Sequence, residues 1–261
     1  MAFRIIRHAF SMIFGNFGQA LRVSIGPYIL LIMLIVAVIM VVGPSMTEAF
    51  PEPDAFMAPP EFSLTLFLAL AIALVAFLFV FAWVAVSWHR FILLEEYSGI
   101  LPAIGDRPIW PYVGRSMLYA LVIFLVAIPL FLIVGLIATP FTMSGTGIGA
   151  ALIVFVIAAA ILGYVWFRIA LALPAVAVGQ PITMGQAWAA SSAMKGTIFG
   201  VSLLLMGING LAGVLTEIVS GLAPVIGVVL EIFVQWLTLM LGVSILTTLY
   251  GHLIEKRTLI D

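Results

Sequence analysis

The sequence predicts an all-α polytopic membrane protein. Six transmembrane helices are arranged as three helical hairpins, preceded by an N-terminal amphipathic interfacial helix. Two observations carry this prediction. Hydrophobic residues make up 65% of the 261 residues and charged residues only 8%, against roughly 45–50% and 25% in soluble domains. A water-soluble fold of this length has no interior large enough to hide that much apolar surface, so lipid is the solvent for most of it. In addition, all ten Lys and Arg fall in alternate gaps between six long apolar runs. Arg4, Arg7 and Arg22 precede the first run, and Arg90, Arg107 and Arg115 lie between the second and third. Arg168 and Lys195 flank the gap between the fourth and fifth, and Lys256 and Arg257 follow the sixth. This is the positive-inside bias, which places both termini in the cytoplasm of a bacterial inner membrane.

The chain reads as a single integral membrane domain, 1–261. Residues 1–22 carry Phe3, Ile6, Phe10, Ile13, Phe17 and Leu21 at helical spacing, with Arg4, Arg7, Ser11, Gly15 and Arg22 opposite. That pattern predicts a helix lying in the cytoplasmic interface, its cations towards anionic headgroups. The start is too long, too polar and too broken by Gly and Asn for a signal peptide, so the first apolar run is expected to stay as an anchor. Spans follow at about 25–43, 64–88, 113–138, 148–172, 198–220 and 223–250, each long enough for a hydrocarbon core of roughly 30 Å. Pro27, Pro129 and Pro224 mark span starts or kinks. Between the first two spans lie Pro44, Pro51, Pro53, Pro59 and Pro60, with Glu48, Glu52, Asp54 and Glu61. Prolines that stop helices, and acids without cations, predict a mobile outer loop there.

Each even span leaves the membrane through an aromatic residue and a cation or His two positions on: Trp88 and Arg90, Trp166 and Arg168, and, less similarly, Tyr250 and His252. With Arg4, Arg7 and Arg22 the first two pairs are the expected interfacial anchors. Two explanations stay open. Three repeated hairpins would give this period of about 80 residues, and so would the general demand of an interface for aromatic rings and snorkelling cations.

Polar residues inside the spans are the candidate site, because burying a charge in lipid is costly. Glu231 lies about two turns into the sixth span and Gln235 one turn further on the same face. Asn209 falls near the middle of the fifth span and Glu217 near its outer end. In a functional reading Glu231 is a protonatable or cation-binding group on a pathway, with Gln235 and Asn209 as neutral ligands. In a plain structural reading Glu231 reaches headgroups, and Gln235 and Asn209 bond between helices. His8, His89 and His252 sit at the predicted cytoplasmic interface with Glu255, Glu95, Glu96 and Asp106, but no HExxH spacing joins them. No metal, cofactor or catalytic constellation is expected from these spacings. The adjacent Glu95 and Glu96 point about 100° apart on a helix and read as solvated acids balancing Arg90. The segment 145–149 lacks the strand and lysine of a phosphate loop. Gly196, Gly200, Gly207 and Gly210 form a small-residue stripe suited to close helix packing. The chain has no Cys, which removes disulfides and thiolate chemistry, and it has no basic-aromatic stripe for nucleic acid.

The stretch WFRIALALPAVAVGQPITMGQAWAASSAMKG runs from Arg168 through Pro174 and a Thr-initiated helix with Trp188 to a Ser pair and the next span. It resembles the recurring segment of YciC-like bacterial membrane proteins and of the multi-span domain attached to some glycerophosphodiester phosphodiesterases. WHRFILLEE resembles what alphaproteobacterial relatives carry at the end of their second span. The resemblance implies a six-span inner-membrane protein. The 261 residues hold no phosphodiesterase catalytic domain, so that activity does not carry over.

Together these readings lead to a non-enzymatic accessory or scaffold subunit, or a membrane-organisation factor. Its expected partners are membrane lipids and other inner-membrane subunits. The rival is a small transporter or channel with Glu231, Gln235 and Asn209 lining the path. A third reading is an enzyme built on the cytoplasmic His and Glu residues.

Overall fold

The computed structural model describes residues 1–49, 64–143 and 147–258. Most of the proline-rich outer loop and the start of the 145–149 segment lie outside the described residues. The elements are α1 (Ala2–Gly15), α2 (Phe17–Ala49), α3 (Leu64–Leu94), α4 (Ile109–Met143), α5 (Ile148–Ile169), α6 (Ala172–Ala177), α7 (Met184–Ala190), α8 (Lys195–Leu222) and α9 (Pro224–Leu253). A short 3-10 turn, Ser191–Met194, joins α7 to α8. No strand occurs among the described residues. Six stretches are long and apolar enough to cross a membrane: Phe17–Gly43, Leu64–Leu94, Ile109–Phe141, Gly149–Ala177, Met184–Leu222 and Pro224–Leu253. Helices suit such sequences because, in lipid, every backbone polar group must be satisfied within its own segment. This is a multi-pass, all-α membrane protein. Its spans pack as three hairpins, α2 with α3, α4 with α5 and α8 with α9.

The helices overshoot the expected spans. The 31 residues of α3 reach roughly 46 Å at about 1.5 Å per residue, well beyond a hydrocarbon core of roughly 30 Å. The excess lies at the end where the arginines cluster, hereafter the basic end. There α3 is buried almost all round from Val80 to Leu93, and α9 likewise from Met240 to Leu253. In the other half, Leu64, Phe67 and Leu70 of α3 are exposed. Between Val225 and Gln235 of α9, only Gly227 is buried, against Ser220 of α8. The cause of the difference is coverage. At the basic end α1, α6 and the connection 95–108 wrap the long helices; in the other half lipid does so, at no hydrophobic cost.

Five spans close a ring at the basic end: α3 packs on α4 and α9, α4 on α5, α5 on α8, and α8 on α9. α2 stands outside, against α3. The short α6 lies within the ring, touching α3, α4 and α9, and all 6 of its residues are buried. The sequence ends the fourth span at about 172 and leaves the residues that follow to a cytoplasmic connection. In the structure α5 ends at Ile169, and the residues after it turn inward as the buried α6, a plug rather than an exposed connection. Gly179, at φ 77°, takes the chain out again, a left-handed conformation that glycine adopts without penalty. Thr183 then starts α7 with a capping box to Gln186, which satisfies two orphan donors.

Three expectations change. The N-terminal helix ends at Gly15, and α2 starts at Phe17 rather than near residue 25. α1 is also not simply laid on the interface. Ile5, Ile6, Ala9 and Ile13 are buried against α8 and α9, while Phe3 and Phe14 are exposed. It is a three-sided element, with a protein face, an apolar outer face and an Arg4–Arg7 face. Of the small-residue stripe, Gly200 alone is tightly approached, by Ala2 of α1 at 3.1 Å; a Cβ on Gly196, Gly207 or Gly210 would meet open space. Closer approaches lie elsewhere: a Cβ on Gly26 would strike the main-chain oxygen of Ile100, one on Gly163 the Ser202 hydroxyl, and one on Gly227 the Ser220 main chain. Trp83 Nε1 donates to Pro102 O at 3.2 Å and Gln19 Nε2 to Ser98 O at 3.1 Å, so three contacts seat the 95–108 connection on α2 and α3.

Candidate functional site

Trp88, His89, Arg90 and Arg168 at the basic end are engaged within the protein, whereas Arg4 and Arg7 of α1 are exposed. Trp88, expected as an interfacial anchor, is fully buried, and its Nε1 donates to Ser244 Oγ at 2.9 Å. Beside it the His89 ring lies 2.8 Å from Thr247 Oγ1 through Nδ1 and 3.2 Å from the Tyr112 hydroxyl through Nε2. These bonds join α3, α4 and α9 in one layer. A buried indole N–H or imidazole needs a partner, and helix faces carrying Ser, Thr and Tyr supply it.

Arg168 is the second departure from an anchor. It is 5% exposed. Nε donates to Ser191 Oγ at 2.9 Å, Nη1 to Tyr164 Oη at 2.8 Å, and Nη2 to Trp188 O at 2.6 Å and Ser192 Oγ at 2.9 Å. The guanidinium lies 3.6 Å over the Trp188 ring, so cation–π attraction adds to the cage. It sits in the last turn of α5, where the helix dipole favours a cation. Trp166, the other expected anchor of that pair, is half-buried and faces the ring interior described below.

Arg90 is half-buried too. It donates to Glu96 from Nε at 3.0 Å and from Nη2 at 2.5 Å, and from Nη1 to Ala177 O at 2.9 Å. Arg107 also pairs with Glu96. Glu96 thus ties α3 to the 95–108 connection, and Arg90 ties both to the end of α6. The Arg90 hydrogen bond, the largest effect, holds the Glu96 carboxyl below its ordinary range; burial opposes it, and Arg107 adds to the lowering. A depressed carboxyl contributes stability that is complete at neutral pH and lost as pH falls through and below the carboxylate range. Glu96→Gln is therefore expected to lower stability by about 1–2 kcal/mol at pH 7 and to flatten the acid side of the melting-temperature profile. A variant that melts like the parent at pH 7 and pH 4 contradicts this.

The intramembrane candidates divide into two pairs. Gln235 Nε2 donates to Glu231 Oε1 at 2.6 Å, and both residues are exposed. Asn209 is bonded instead to Thr238, whose hydroxyl donates to Oδ1 at 2.9 Å. Glu217, in α8, is exposed. Thr238 is the residue that the sequence reading missed; a lone Thr in an apolar run carries no signal until its partner across the hairpin is known.

Asn209 and Thr238 line a cavity of about 300 Å³ in the middle of the ring. Its walls come from α3 (Phe81), α4 (Tyr112), α5 (Gly163, Trp166, Phe167), α8 and α9, and Leu173 of the α6 plug forms part of its boundary. The α9 lining residues include Thr238, Gly242 and Leu246. Glu231 and Gln235 precede Thr238 by seven and three positions, so they continue the same helix face. They lie in the half where α9 is uncovered. Among the described residues, no group of three His, Asp or Glu stands together as a metal site.

Compared with protein-family models, curated proteins and solved structures, the chain matches none.

Proposed function

We propose that this chain is a non-enzymatic accessory subunit or organising factor of a bacterial inner membrane, with both termini in the cytoplasm. One observation carries the reading: α6 plugs the ring at its basic end, and Trp88–Ser244 and His89 with Thr247 and Tyr112 bond the surrounding helices together. A solute in the cavity meets buried, close-packed side chains there, and close-packed interiors do not part continuously. The basic residues gathered at that end support its cytoplasmic placement. The resemblance to YciC-like proteins is of a piece with this reading.

Transport is the second reading, favoured by Glu231, Gln235 and the Asn209–Thr238 pair sharing one face that runs into the cavity. Proteoliposomes separate the two. The accessory reading expects no proton- or cation-dependent flux, and expects Glu231→Gln to insert and retain co-purifying subunits like the parent. A pH-dependent flux that Glu231→Gln abolishes and Glu217→Gln leaves standing would establish transport instead. Sidedness has its own test: a reporter active only outside the cytoplasm should work when inserted within 50–58 and fail when fused after Asp261. Activity of the C-terminal fusion would reverse the assignment.

A further inference from the structure

We propose that the groove between α4, α5 and α7 holds one acyl chain of an anionic phospholipid from the leaflet at the basic end, with its phosphate on Arg115. Such a site suits the accessory and transport readings alike and rests on neither. Val122, Val165, Ile169, Met184, Gly185 and Trp188 line the groove, which encloses about 340 Å³, within the roughly 300–1,000 Å³ usual for small-molecule sites. Every lining residue is apolar or glycine. Met184 and Trp188 are 37% and 40% exposed, so the groove opens outward.

Lipid reaches this groove. Met117, Leu118, Leu121 and Leu125 of α4 are exposed, which brings the bilayer to within a turn of Arg115. Arg115 precedes Val122 by seven positions on α4, two turns up the same helix face and about 10 Å along the axis. It is the residue nearer the basic end. A chain lying against Val122, Val165 and Ile169 therefore ends with its head at the guanidinium.

Charge selects the head, because a chain that leaves the bilayer for an equally apolar groove gains little hydrophobic energy. No Asp or Glu occurs between Asp106 and Glu217, a stretch that carries Arg115, Arg168 and Lys195. Arg90, Arg107 and Arg257 have carboxylate partners, whereas Arg115 and Arg168 have none among the described residues. Arg115 is half-buried and donates from Nη1 to Ile182 O at 2.6 Å, just ahead of α7. That bond holds it at the head of the groove. A guanidinium has five N–H donors, and its planar fork matches phosphate. Arg168 stacks on the Trp188 ring that lines the groove, and its neutral cage leaves its charge uncompensated. A zwitterionic head would bring an ammonium among cations with no acid to meet it. A net anion such as phosphatidylglycerol is the complement.

The test uses the full chain in nanodiscs of phosphatidylcholine doped with a phosphatidylglycerol that carries a diazirine in one acyl chain. Photolabel is expected on Val122, Ile169, Met184 or Trp188. Unlabelled phosphatidylglycerol in place of phosphatidylcholine should suppress it about tenfold, and phosphatidylethanolamine, which shares the phosphate, should not. Arg115→Gln should cut labelling of the groove by a similar factor, and Arg7→Gln, on exposed α1, should leave it unchanged. A Cβ on Gly185 would meet nothing closer than 4.0 Å, so Gly185→Leu should fill the groove and block labelling while eluting and melting like the parent. Label spread evenly over lipid-facing residues such as Leu211 and Val225 overturns the proposal, and so does equal competition by phosphatidylethanolamine, whether or not any variant folds. Full labelling of a folded Arg115→Gln or Gly185→Leu protein overturns it too, as does an equal loss in Arg7→Gln. An unlabelled groove in nanodiscs that hold two chains would assign that face to a second copy instead.

Discussion

Replacing Arg168 by Met should destabilise the basic end by about 3–5 kcal/mol, since hydrogen bonds to a charged group contribute about 1.5–3 kcal/mol each and several are lost together. Four hydrogen bonds disappear; the Ser191 and Ser192 hydroxyls keep their own bonds to the Trp188 carbonyl, while the Tyr164 hydroxyl loses its donor. The contact with the Trp188 ring is lost as well. The informative companion is Arg168→Lys. A snorkelling anchor tolerates that exchange, because either cation reaches headgroups. A planar fork holding four acceptors does not, since an ammonium has three donors in a different geometry; Lys should cost about 1–3 kcal/mol. Thermal unfolding in detergent reads both variants. Limited proteolysis should show the loss first at α7 and the turn that follows it, because Arg168 fastens both to α5. A lysine variant that melts with the parent would return Arg168 to the membrane surface.

Trp88→Ala is expected to be of similar size, about 3–5 kcal/mol, from the cavity left by a fully buried indole. Trp88→Phe keeps most of the ring and removes only the bond to Ser244, for about 1–2 kcal/mol. The order Ala, then Phe, then parent in melting temperature follows from burial. An indole resting among headgroups would instead give changes within about 0.5 kcal/mol for either substitution. Trp88→Phe combined with Ser244→Ala tests the partner directly: once the indole N–H is gone, losing its acceptor should add little.

These two residues mark where sequence reasoning runs out. An aromatic residue followed by a cation at the end of an apolar run is the signature of a headgroup anchor, and also of a helix that continues beyond the membrane into a packed layer. Local sequence does not separate them. The deciding fact is what covers the helix: Ser244 of α9 beside Trp88, and Trp188, Ser191 and Ser192 around Arg168, none of them a helical neighbour in the chain. Glu96 was legible in part: its balance with Arg90 was expected, but its second partner Arg107 comes from the far end of a connection whose path rests on Gly26 and Trp83.

The Glu231–Gln235 pair was readable from spacing alone, because residues four apart on a helix are neighbours whatever surrounds them. Asn209 was readable only as a polar residue at mid-depth. Its bond to Thr238 depends on how the α8–α9 hairpin is registered.

By itself the sequence determined that lipid is the solvent, how many helices span it, how they pair into hairpins and which ends carry the cations. Each of these follows from a local quantity, the length and polarity of a run, because a membrane reads a helix segment by segment. Only the tertiary structure decided that five spans close a ring, that 172–177 folds inward to plug it, and that Trp88 and Arg168 lie inside. It also placed an uncharged cavity beneath Glu231. Those outcomes depend on which surfaces meet across the bundle. Lipid and packed protein are equally apolar neighbours, so hydrophobicity along the chain cannot distinguish a face that meets one from a face that meets the other.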